Sequence, residues 1–297
     1  MSEVPHNVQS VPSGNVESVT PAIAQEWLDT YNVLNRKLKP RVVAMYARDM
    51  ANGDWVFNGD TIRFDTDGNL LDGQHRLNAV VQSGVTVPML VIWGLDPASR
   101  VVIDSGSRRS KGDALQLAGY SNTAALGSAV GILGAFDRGQ ITTAGSNPDF
   151  QPSHSETVAL VEKYEREGEL LDHVQAAVAE TRDIRLSPTI ITVARYLQSR
   201  VASPEDVKEF WYGACYTAAP GDPRYTLRRW AQDQYGETRS GARQDISLRL
   251  FAVALCWNAW RSGKSLSRIH YKVSNEVRDE EGRVTQPIVY RPIPKMK

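Results

Sequence analysis

Read for polarity alone, the first third of the chain changes period several times. Behind Thr20-Pro21, a capping residue and a ring suited to a first helical position, Ile23, Trp27, Leu28, Tyr31 and Leu34 recur at helical spacing. Val43, Met45, Tyr46 and Met50 repeat the pattern behind Pro40 and stop at Gly53, so two helices are predicted in succession. Strand signals come next: Thr61-Ile62-Arg63-Phe64, an Asp67-Gly68 hairpin turn, and a returning Leu70-Leu71. The stripe Leu77, Val80, Val81 predicts a short helix with Asp72 as N-cap, Gly73 allowing an unusual φ and Gly84 closing the C-terminus. Val87 to Trp93 is apolar almost throughout and predicts a strand buried on both faces, and Asp96-Pro97 opens a further helix.

From Ala114 the period is helical almost without interruption, with segments near 122–137, 154–167, 169–182, 188–199, 204–217 and 244–262. The stretch from Ile246 to Trp260 is apolar on nearly every face, which predicts a helix through the middle of its domain, while Arg249 and Asn258 argue against a membrane span. Residues 139–152 form a polar loop. The expected organisation is a flexible leader (1–19), a small α/β domain (20–112), an all-α helical domain (113–272) and an extended Pro-containing tail (273–297), an α+β class overall.

Composition narrows this picture. A chain of 297 residues, 41% hydrophobic, can bury a full core. Lys plus Arg equals Asp plus Glu at 34 each, so no global basic field holds nucleic acid or an anionic membrane by charge, and any such contact needs a local patch. Cys215 and Cys256 lack metal-site spacing and read as buried thiols of a reducing compartment; with no secretory or membrane-spanning pattern, the expectation is a cytoplasmic protein without membrane partners.

Candidate chemistry concentrates at Asp72-Gly73-Gln74-His75-Arg76. A helix N-terminus carrying Gln74, His75 and an arginine fork suits a phosphate. Asp72 beside a phosphate is an electrostatic conflict with three resolutions: it ligates Mg²⁺, it acts as a base on an acceptor hydroxyl, or it is only a cap. Arg76 suits a phosphate or a neighbouring carboxylate, and His75 either donates to the ligand or packs beneath the turn. A second cluster follows at Asp104, Arg108, Arg109 and Lys111. Asn58 and Asp60 have sufficient reason to exist as turn residues. Arg224, Arg228, Arg229, Arg239 and Arg243 form a weaker basic group diluted by acidic neighbours.

The order helix, glycine turn, strand, hairpin, Asp72-Gly73-Gln74-His75-Arg76 helix and Gly84-Val85-Thr86-Val87-Pro88 strand resembles the ParB/sulfiredoxin superfamily over about residues 40–112. Within it, the chain looks most like phage and actinobacterial ParB-like proteins that join such a domain to a helical half. The resemblance implies nucleotide chemistry. Gly73, His75 and Arg76 fall where ParB proteins bind the triphosphate of CTP, and Asp104 to Arg108 fall near a box contributing metal and phosphate contacts. The Asp-Gly-x-His-Arg of the superfamily's free-serine kinases matches more closely still. The reactive cysteine of sulfiredoxins is replaced by Gln74, which removes sulfinic acid repair.

The resulting expectation is a nucleotide-binding protein that hydrolyses a nucleoside triphosphate (ATP or CTP) or transfers its phosphate. Asp72, His75 and Arg76 would be catalytic, Gly73, Gln74, His75, Arg76, Arg108 and Arg109 would hold the nucleotide, and Asp72 and Asp104 would hold Mg²⁺. A DNA-binding, partition-like module switched by nucleotide is the alternative, with a ParB-like nuclease third; the partners to test are the triphosphate, DNA and a second copy of the chain.

Overall fold

The computed structural model describes residues 11–33, 35, 37–101, 103, 110–237, 246–279, 281 and 284–297. Asp104, Arg108, Arg109, Arg239 and Arg243 lie outside the described residues, as do positions 1–10 of the expected leader. The chain divides into two units, one through Arg108 and one from Arg109, each with a hydrophobic core of its own.

The first unit runs β1 (Ser13–Val19), α1 (Pro21–Tyr31), α2 (Pro40–Asn52), β2 (Thr61–Asp65), β3 (Leu70–Asp72), α3 (Gln74–Ser83), β4 (Val87–Leu95) and a 3₁₀ turn (Pro97–Val101) where an α-helix was expected. The sheet order is β1-β4-β2-β3. β2 and β4 pair in parallel, with Ile62 opposite Val91, and β3 returns antiparallel on β2, so α3 is the crossover that brings the chain from the β3 edge back to β4. The local signals worked as chemistry predicts. Thr20 Oγ1 accepts from Ile23 N at 3.2 Å and Pro21 opens α1, while Gly53 and Gly84 close α2 and α3 in the left-handed region at φ 79° and 71°. Asp65 Oδ1 fixes the hairpin by accepting from Asp67 N at 3.0 Å and Asn69 N at 2.7 Å.

Residues 13–19 are not a flexible leader: they pair antiparallel with β4 from Ser13–Trp93 to Val19–Val87. The polar composition of β1 misleads because an edge strand is held by backbone hydrogen bonds and needs few apolar side chains; of its residues, Val19 is the buried one. β4 is not buried on both faces. Val87, Met89 and Val91 are buried, whereas Pro88 between them is exposed and Leu90 and Ile92 are half-buried, because the helices cover one side of the sheet. Beneath that side Phe64 stacks on Trp93 at 3.7 Å, and Trp27 and Tyr31 meet Phe64 edge-on at 5.3 and 5.7 Å.

The second unit is mostly helical: α4 (Lys111–Leu117), α5 (Thr123–Asp137), α6 (His154–Gly168), α7 (Leu170–Ile184), α8 (Pro188–Ser199), α9 (Pro204–Tyr212), α10 (Pro223–Glu237) and α11 (Ile246–Arg261). α9 passes into a π turn over Gly213–Thr217. α11 lies inside the core as its pattern predicted, burying Leu250, Phe251, Val253, Cys256 and Trp257. α10 has no counterpart among the expected helices, because buried apolar positions such as Leu227 and Ala231 are sparse among its charged and polar residues. The tail is partly strand: β5 (Lys272–Ser274) pairs with β8 (Val289–Tyr290), and β6 (Val277–Arg278) with β7 (Val284–Gln286). No described helix is long and apolar enough to cross a membrane.

Candidate functional site

The sheet delivers Asp72 to the end of β3, opposite Arg63 on β2, and the chain then turns into α3 through Gly73. Gly73, and not Asp72, occupies the N-cap position, with φ +111° and no side-chain cap. A Cβ there would fall 2.5 Å from Ile62 Cδ1 and 3.3 Å from Ile62 Cα, so the turn is pressed onto β2 in a conformation only glycine takes without strain.

The Asp72 carboxylate folds back on its own turn. Oδ1 accepts from Gly73 N at 2.7 Å, and Oδ2 accepts from Arg76 Nη2 at 3.0 Å with Arg63 Nη1 at 4.0 Å. Arg76 is largely buried. Its Nη2 also donates to Thr61 O at 2.6 Å, and its Nη1 lies 3.7 Å from Asp60 Oδ2. The guanidinium therefore ties α3 to β2 and stands between two carboxylates.

His75 points the other way, and Lys39 N donates to its Nε2 at 3.1 Å, so this ring nitrogen is an acceptor. Lys39 is the N-cap residue of α2, hence this one hydrogen bond brings the N-termini of α2 and α3 together. Lys39, Val42 and Tyr46 from α2 and Asp72, Gly73, His75 and Arg76 from the turn line a pocket of about 60 Å³. Two helix dipoles converge there with Lys39 and Arg76, against the single lining carboxylate of Asp72. Its volume is about that of two water molecules, well under the range of pockets that enclose a whole small molecule.

The structure thus brings Asp72, Gly73, His75 and Arg76 to one pocket, whereas Gln74 is buried and does not line it. Lys39, Val42 and Tyr46 were missed by sequence reasoning; the signal was present at Lys39-Pro40, where a cation precedes a Pro-initiated helix. Asp72 and Asp60 flank a cation, Arg76, and Asp104, the other expected metal ligand, lies outside the described residues. Asp104, Arg108 and Arg109 lie outside the described residues. In the helical unit Arg224 binds Asp222 at 2.7 Å, and Arg228 donates to Cys215 O and Ala218 O, so these two arginines anchor helix ends. Cys215 and Cys256 are buried, and burial pushes the Cys215 thiol up to about 12.

No protein-family model and no curated protein matches the chain.

Proposed function

We propose that this chain binds a nucleotide, ATP or CTP, through its phosphates at the joined N-termini of α2 and α3. The observation that carries the reading is the pocket in which Lys39 and Arg76 meet two helix dipoles over the floor made by Gly73. The resemblance of Asp72-Gly73-Gln74-His75-Arg76 to the ParB/sulfiredoxin superfamily supports the same ligand. A space of about 60 Å³ suits one phosphoryl group and not a nucleoside, so the rest of the ligand lies outside it, on the side open to solvent.

The proposal is one of binding. One oxygen of Asp72 accepts from Gly73 N and the other from Arg76, so the carboxylate orients the guanidinium and closes the turn.

Calorimetric titration with ATP, CTP and GTP tests the reading in the intact chain and in Lys39→Ala. Lys39 is exposed and its hydrogen bond to His75 is made by the backbone, so the variant keeps the fold. Saturable binding of one triphosphate, weakened about tenfold or more by Lys39→Ala, is expected for a charged phosphate contact. Absence of binding by all three, or equal affinity in both proteins, overturns it.

A further inference from the structure

A second pocket lies wholly within the helical unit. It measures about 320 Å³, within the range of small-molecule sites. Phe136 near the end of α5, Leu197 on α8 and Leu250 on α11 form its inner wall, and Ile293 and Met296 form its outer wall. That outer wall is fixed in place: Asn258 Nδ2 donates to Lys295 O at 2.7 Å, Lys297 N donates to Asn258 Oδ1 at 3.0 Å, and Trp257 Nε1 donates to Lys297 O at 2.9 Å. The space is partly open to solvent, a concavity with mostly apolar walls beside this pinned segment.

The charged side chains lining it are both cationic, Arg200 and Lys295. Arg200 Nη1 lies 3.7 Å from Asp137 Oδ1, whose partner oxygen Oδ2 is bound by Lys163 at 3.0 Å and by the Tyr164 hydroxyl at 2.9 Å. Arg200 is half exposed. At 3.7 Å the pair with Asp137 is a loose one, and Arg200 also lines the pocket.

We propose that this pocket binds a small amphipathic anion, a medium-chain or aryl carboxylate, with its apolar body against Leu197, Leu250 and Met296 and its carboxylate facing Arg200 and Lys295. Burial of the hydrocarbon supplies affinity, and the two cations supply the selectivity for a negative head. All of the lining residues belong to the unit from Arg109.

The test is calorimetric titration of the full chain with decanoate, decan-1-ol and decyltrimethylammonium, all below micelle-forming concentrations. Saturable binding of decanoate, about tenfold or more tighter than the cation, is expected. Arg200→Ala combined with Lys295→Ala, both surface positions, lowers decanoate affinity about tenfold and leaves decan-1-ol unchanged. Ile293→Trp, a change in the half-buried outer wall, fills the space and removes both ligands while the circular dichroism spectrum is retained. Failure of decanoate to saturate, equal affinity for the cation, or full decanoate affinity in the Arg200/Lys295 variant overturns the proposal.

Discussion

Gly73 carries the turn on which the phosphate pocket rests. With φ +111° and a would-be Cβ 2.5 Å from Ile62 Cδ1, Gly73→Ala meets both backbone strain and a clash, and should cost about 2 kcal/mol in urea denaturation. Adding Ile62→Val removes the clashing atom and recovers part of that loss, the remainder being the φ penalty; full recovery would show that strain plays no part. The glycine was legible in the sequence, but its contact with β2 was not, since no local pattern reports which strand a turn is pressed against. Asp72 was read one position wrong for a related reason. Aspartate before a helix signals a cap, yet a glycine in the left-handed region takes that position and leaves the carboxylate to Arg76. In the helical unit, burial, with the Arg195 charge adding to it, lowers His173 from its usual 6.5 to about 4. The folded chain therefore holds fewer protons than the unfolded one across that window. Stability is fully present above pH 6.5 and falls as the pH drops toward about 4, by about 2 to 3 kcal/mol. Unfolding measured from pH 7 to 4.5 should show a shallower decline in His173→Gln than in the parent.

Among the elements, β1 has the widest consequence. It covers the edge of β4 along seven paired positions, from Ser13–Trp93 to Val19–Val87. A chain beginning at Thr20 leaves β4 as an exposed edge with an apolar face, whereas one beginning at Val11 keeps the pairing. The shorter chain should self-associate in light scattering and unfold at lower urea, and the longer one should behave as the parent does. Amphipathic helices were the most legible elements: α2, α3, α5, α6 and α8 stand within a residue or two of where capping signals and apolar spacing put them, while α1 starts as expected but ends at Tyr31, the expected Leu34 lying outside the described residues. β1 and α10 were not legible, the first because an edge strand is held by its backbone, the second because packing against the neighbouring α11 needs few apolar positions.

At the scale of the whole molecule, the unit through Arg108 carries a four-stranded mixed sheet with helices, and the unit from Arg109 is mostly helical with a core of its own. What the sequence could not convey is the pairing of two helix N-termini through residues 36 positions apart, because Lys39 and His75 meet only once α2 and α3 have packed. That meeting point is the centre of the functional reading. The most direct measurement is a ¹⁵N–¹H correlation spectrum of the labelled chain titrated with ATP or CTP. Progressive shifts of the amides of Lys39, Gly73, His75 and Arg76, weakened in Lys39→Ala, are predicted. A spectrum in which these amides stay still at millimolar nucleotide, or in which shifts are confined to the helical unit, would contradict the account.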